Sequence, residues 1–159
     1  MLRIALQLKD LFHSYCFWAP FVSWFVCQLT KGIIAMTKTD EKRIASFFYH
    51  FGKTGGLPSS HSSVVVALAL SLGLKNGFSS DIFVLSFFLA SIVIRDAIGV
   101  RLSSGLQAKT LNSLGSKVSE QLDIDFQPVK EINGHTKFQV IVGGIIGFVT
   151  TLIFVYIFY

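Results

Sequence analysis

Four stretches of the chain are apolar over a length close to the roughly 20 residues that a membrane-crossing helix requires. The first covers 11–36 and is interrupted by Pro20 and Lys31. The second covers about 58–74, with the run Val64 to Leu74 at its centre, and the third about 80–99, mainly apolar from Ile82 to Ile94. The fourth, 138–159, is apolar almost throughout. Two of them are short for a bilayer, so tilting or local thinning is expected. A short connection at 75–79 carries Asn76 and Gly77, and two longer polar loops occupy 37–57 and 100–137. Inside the last loop, Leu111, Leu114, Val118 and Leu122 recur at helical spacing among Ser, Lys and Gln. That spacing fits a helix lying on the membrane surface, and equally a short helix packed on the bundle from the aqueous side. There is no internal repeat. The pattern predicts one domain, 1–159, of all-α class: an integral membrane helical bundle with about four transmembrane helices and room for one interfacial helix.

Composition agrees. Of 159 residues 52% are hydrophobic and 14% charged, with mean hydropathy +0.60; soluble domains usually carry about 25% charged residues. Sixteen Phe would be hard to hide in one aqueous core of this size. Cys16 and Cys27 lie eleven apart in the same apolar stretch, too far along one helix for a disulfide. No metal-ligand spacing is present. The net charge of +5 could suit nucleic acid, but in such a chain it reads as loop charge facing anionic headgroups, so no nucleic-acid partner is expected. No small-residue cleavage site follows the N-terminal segment, and 11–36 reads as a retained anchor.

Four crossings fix where the polar clusters fall. If the N-terminus lies on side A, the first helix delivers Lys31 to side B. The second starts there with Pro58-Ser59-Ser60-His61, the third ends there with Arg95, Asp96 and Arg101, and the fourth starts there with Gly134-His135-Thr136. Side B also receives Lys38, Lys42, Arg43, Lys53, Lys109, Lys117, Lys130 and Lys137, against Arg3, Lys9 and Lys75 on side A. The positive-inside tendency makes side B cytoplasmic.

The segment Lys53-Thr54-Gly55-Gly56-Leu57-Pro58-Ser59-Ser60-His61-Ser62 joins glycines, which let a backbone approach a ligand, to a helix-start signal. An opening helical turn offers unpaired N–H groups to an anion. The Ser59 and Ser60 hydroxyls add donors, and His61 can give or take a proton near neutral pH. A capped helix with a surface histidine would look the same. In Arg95-Asp96-Ala97-Ile98-Gly99-Val100-Arg101, either arginine could snorkel to headgroups, whereas the short Asp96 needs a partner, for which Arg101 or a loop lysine is better placed than Arg95. In Lys130-Glu131-Ile132-Asn133-Gly134-His135-Thr136 a second histidine opens a helix on the same face. Two histidines so placed permit covalent phosphoryl transfer, one attacking phosphorus and the other protonating the leaving oxygen. Nearby cations would hold the remaining oxygens.

Together, Gly55-Gly56-Leu57-Pro58-Ser59-Ser60-His61-Ser62, Asp96-Ala97-Ile98-Gly99-Val100-Arg101, Gly105-Leu106-Gln107-Ala108 with Leu111-Asn112, and Gly134-His135-Thr136 resemble the divergent type 2 phosphatidic acid phosphatase family. That family is related to acid phosphatases and vanadium-dependent haloperoxidases. The likeness runs from about Gln28-Leu29-Thr30-Lys31 to Gly147. In the parent superfamily, Pro-Ser-Gly-His supplies the acid histidine, and Ser-Arg-x5-His-x3-Asp supplies an arginine, the nucleophilic histidine and its orienting aspartate. The resemblance therefore implies His61 as acid, His135 as nucleophile, Gln139 as its orienting residue, and no metal or other cofactor. Phosphate-binding positions would be Lys31, Lys53, Ser59, Ser60, Arg101, Lys130 and Gly134, with Asp96 as charge partner.

The chain departs from the parent at several points. Ser60 replaces the motif Gly, Gln139 replaces the aspartate, and Val129 stands where an arginine would, with Lys130 one step on. Four crossings are fewer than the six usual in the superfamily's membrane members. His13 and His50 read as structural, and Gly143-x3-Gly147 as a close packing surface that could equally serve a homo-oligomer. Two functions are carried forward. One is a multi-pass, metal-independent lipid phosphate or diphosphate phosphatase working through a phosphohistidine on a phosphorylated lipid substrate. The other is a non-catalytic membrane protein or scaffold binding phospholipid headgroups with a degenerate site. A transport role fits less well, because the middle of the spans lacks charge.

Overall fold

The computed structural model describes residues 1–37, 43–52, 55–131 and 134–158; Lys38, Lys42 and Lys53 lie outside them. Its described elements are α-helices: α1 (Leu2–Phe12), α2 (Tyr15–Thr37), α3 (Arg43–Gly52), α4 (Ser60–Asn76), α5 (Asp81–Ile98), α6 (Val100–Leu122) and α7 (Lys137–Phe158). Among the described residues, three stretches are long and apolar enough to cross a membrane: α2, α5 with its continuation α6, and α7.

The core is inverted relative to a soluble protein. The apolar side chains buried inside are mostly alanines, with Cys27, Tyr15 and Val140, while Leu85, Phe88, Ile92, Ile141 and Ile145 face outward. Lipid satisfies large apolar groups, and helices in lipid associate through small residues that let backbones approach. Helix α4 is the centre of this arrangement. Its buried residues are Ser60, Ser62, Ser63, Ala67, Ala69, Ser71 and Gly73, and it packs against α2, α5 and α7.

Pair contacts give the directions. Lys31 Nζ donates to Ser60 Oγ at one end of α2 and α4, and Cys16 Sγ donates to the Ser71 carbonyl at the other, so these helices are antiparallel. Gly143 lies on Ser59, Gly147 on Ser63, and Thr151 Oγ1 donates to the Ala67 carbonyl, so α4 and α7 are parallel. The rings of Phe78 and Phe83, before and at the start of α5, lie on Gly73 near the end of α4, and Ala97 near the end of α5 accepts from the His135 N–H. The end of α2, the starts of α4 and α7 and the end of α5 therefore share one pole of the bundle.

Two expectations need correction. The segment 37–57, read as a polar loop, contains α3, which lies along α2: the Phe47 ring covers Gly32, and Phe51 stacks edge-on with Trp24 and Phe25. Its outer face carries Ile44, Phe48 and Tyr49, so α3 descends beside α2 as an apolar helix. The first apolar stretch begins not at 11 but at Tyr15, because the chain turns at His13-Ser14 between α1 and α2. Trp18 Nε1 donates to the Phe12 carbonyl and holds that corner. The helix anticipated around Leu111 to Leu122 is α6, twenty-three residues long, joined to α5 through Gly99.

Candidate functional site

The pole is built by helix starts. Gly55 and Gly56 adopt φ of 90° and 79°, a region open to glycine, and deliver the chain to Pro58 and Ser59. Ser59 caps α4: its Oγ accepts from the Ser62 N–H at 3.4 Å and from the Ser62 hydroxyl at 2.9 Å. Its own N–H donates to the Gln139 carbonyl at 3.0 Å, which ties the start of α4 to the start of α7. At α7, Thr136 and Gln139 form a capping box. The Thr136 N–H donates to Gln139 Oε1 at 3.1 Å, and the Gln139 N–H donates to Thr136 Oγ1 at 3.4 Å.

These caps aim the two histidines at one another, with ring centroids 6.4 Å apart. His61 is half-buried and His135 is 3% exposed. The Thr136 N–H can only donate, so it is the Gln139 amide oxygen that faces it. That same oxygen meets His135 Nδ1 at 3.1 Å. Nδ1 therefore carries the ring proton, which leaves the lone pair on Nε2. Burial pushes the His135 pKa below its ordinary 6.5; the Gln139 hydrogen bond works against that, Lys31 adds to it, a Gly56 backbone hydrogen bond opposes it, and Arg101 adds again. His135 thus stands neutral near pH 7 in the tautomer a nucleophile needs.

The charges around the rings are unequal. His61 interacts electrostatically with Arg101, His135, Lys31 and Asp96. Arg101 Nε donates to Asp96 Oδ2, so this cation is already half-neutralised. Lys31 is 6% exposed, and among the described residues its ammonium hydrogen-bonds to a neutral hydroxyl, Ser60 Oγ at 3.3 Å. An ammonium held out of water without a counter-charge is costly. An anion between Lys31 and the histidines would relieve that cost.

The sequence-derived candidates thus divide. His61, His135, Gln139, Lys31, Ser60, Arg101 and Asp96 converge. Ser59 is fully buried, with its hydroxyl engaged in the cap and its carbonyl against Gly143, so it builds the helix start rather than meeting a ligand. Gly134 serves close approach: a Cβ there would stand 2.3 Å from the Leu102 backbone. Lys130 is exposed in the segment 123–131 between α6 and α7, while the charged neighbours of the histidines among the described residues are Lys31, Arg101 and Asp96. His13 and His50 each donate Nδ1–H to a carbonyl one turn back, Lys9 at 2.8 Å and Ser46 at 2.9 Å, as structural histidines do. Two contributors escaped the sequence reading. The Ala97 carbonyl holds the His135 N–H, and Gln28, 7% exposed, has an Oε1 with no hydrogen-bond partner among the described residues, one turn from Lys31. Gln28 had a signal, a polar residue three before Lys31 on the same helical face; a carbonyl leaves none.

A membrane-embedded helical bundle with two facing histidines and a buried lysine at one pole defines the class. The profile of the divergent PAP2 family matches residues 12–150, and the chain belongs to that family. It is 37% identical over 116 residues to the uncharacterized membrane protein YuiD of Bacillus subtilis (strain 168), covering 66% of this chain and 73% of that protein. No solved structure matches.

Proposed function

We propose that the protein is a metal-independent lipid phosphate or diphosphate phosphatase working through a phosphohistidine. The observation that carries this reading is the buried Lys31 ammonium, without a counter-charge among the described residues, beside two facing histidines, one of them held as the Nδ1–H tautomer. His135 Nε2 attacks phosphorus, the bond to the leaving oxygen breaks, and a protonated His61 gives that oxygen its proton. Water then attacks the phosphohistidine while neutral His61 takes its proton, and inorganic phosphate departs. Lys31 and Arg101 hold the oxygens on which charge is redistributed. The reading includes four crossings, α2, α4, α5 and α7, with the site on the cytoplasmic face. Impermeant thiol labelling at Lys130→Cys and Tyr156→Cys should then report opposite sides, and labelling from the same side contradicts it.

Headgroup binding without turnover is favoured by one observation: Gln139 is neutral and cannot stabilise an imidazolium as a carboxylate would. Purified protein with a metal chelator, offered a panel of lipid phosphates and diphosphates, separates the two. The phosphatase reading expects inorganic phosphate from wild type and none from His135→Ala. Tight oxyanion binding with no hydrolysis of any lipid in the panel selects the binder.

A further inference from the structure

Helix α6 buries none of its residues and, among the described helices, meets only α5. What lies along it is the chain that follows. Asp123, in the left-handed conformation at φ 52°, ends the helix and turns the strap 123–131 back on it. The Ile124 N–H donates to the Ser119 carbonyl at 3.3 Å, and Ser119 Oγ donates to the Ile124 carbonyl. The Phe126 ring lies where a Cβ on Gly115 would be, 2.2 Å away. Asn112 grips the next stretch from both sides. Its amide donates to the Val129 carbonyl at 2.9 Å and to Glu131 Oε1 at 3.0 Å, and its Oδ1 accepts from the Val129 N–H at 2.9 Å. Beyond the grip, Gly134 seats on the Leu102 backbone. The α6 residues beneath the strap are Asn112, Gly115 and Ser119, and Gly105 and Ala108 continue the same spacing. All are small or are the clamp itself.

The clamp sits just upstream of the reacting group. Between Leu102 and Asn112 the helix rises about 15 Å at 1.5 Å per residue. The five chain steps from Val129 to Gly134 reach at most about 18 Å. The Asn112 grip on Val129 and the seat of Gly134 on Leu102 are thus only a few residues apart along the chain, and His135 follows at once. We infer that Asn112 is a positioning residue: by fixing Val129 along α6 it sets where His135 stands between Gln139, Ala97 and His61. The inference takes from the proposed function only that His135 is the reacting group.

Asn112→Ala should fold. The three hydrogen bonds are solvent-exposed, where water can replace them, and α6 lies outside the core of α2, α4 and α7. The experiment follows the ¹⁵N imidazole signals of His135 and tungstate affinity in wild type, in Asn112→Ala, and in an Asn112→Cys/Val129→Cys pair with its disulfide formed or reduced. In Asn112→Ala the His135 titration midpoint should rise toward the ordinary 6.5, and tungstate should bind at least about tenfold more weakly, given that a 1 Å misplacement can cost about 10²-fold. Helical content should be unchanged. Closing the disulfide should restore both readouts, and reducing it should undo them. His135 signals in Asn112→Ala identical to wild type overturn the inference. If wild-type protein binds no tungstate, the proposed function fails, and the His135 titration still decides the role of Asn112.

Discussion

Gly143→Ala and Gly144→Ala differ by one position and should behave oppositely. A Cβ on Gly143 would lie 2.2 Å from the Ser59 carbonyl oxygen, 3.0 Å from its carbon and 3.2 Å from its Cβ. Carbon–oxygen contacts across close helices settle near 3.3–3.6 Å, so α7 must move about 1 Å from α4. The obstacle is backbone, which cannot rotate away. Alanine gains about 1 kcal/mol over glycine in intrinsic helix preference, while overpacking typically costs about 1–3 kcal/mol, so a net loss is expected at 143. The larger effect is functional. Ser59 also donates to the Gln139 carbonyl, so separating α4 from α7 parts His61 from His135. A displacement of about 1 Å at reacting groups can cost about 10²-fold. At Gly144 the nearest atom is Val66 Cγ2 at 3.8 Å, an ordinary contact, and the helix preference acts alone. Thermal unfolding in detergent and tungstate affinity should show Gly143→Ala impaired in both and Gly144→Ala at or above wild type. Equal behaviour of the two variants would refute the packing argument.

Lys31→Met replaces a buried ammonium that lacks a counter-charge among the described residues, so stability should hold or rise while oxyanion affinity falls at least about tenfold; unchanged affinity in calorimetry removes Lys31 from the site. For His135, the unfolded chain takes up a proton near pH 6.5, whereas the folded residue does so only at lower pH, so stability falls as pH drops below about 6.5. Melting temperatures between about pH 7.5 and about pH 5 should decline more for wild type than for His135→Gln, and parallel curves count against the depressed pKa. Gln139→Glu keeps the capping box and adds a charge that stabilises the His135 imidazolium, so lipid phosphate turnover should rise and its pH profile shift upward; a loss of turnover at full stability contradicts the orienting role of Gln139.

Much of the site could be read from the sequence because its parts sit at helix starts and ends, where turn and cap chemistry leaves a signature. Pro58-Ser59-Ser60 carries it, and Gly143-x3-Gly147, which reads as a close packing surface without naming its partner, lies on Ser59 and Ser63 of the α4 start. What escaped depends on neighbours far apart in sequence. Ser59 and Ser60 look alike as residues, yet one is fully buried in the cap and the other meets Lys31. Helix α3 was hidden between Lys42 and Lys53, although Ile44, Phe47, Phe48 and Phe51 recur at helical spacing. The Asn112 grip joins positions 17 apart through the Val129 backbone, and no side-chain pattern encodes that.

The most direct measurement of the central claim is a phosphoryl trap. Purified protein is mixed with a lipid phosphate labelled on phosphorus, quenched in alkali, and examined for label that survives alkali and is lost in acid. The account predicts such label on wild type, none on His135→Ala, and label on His61→Ala with turnover slowed by about 10²–10⁴, the usual cost of losing a proton donor. A His135→Ala protein that still releases phosphate at near wild-type rate would contradict it.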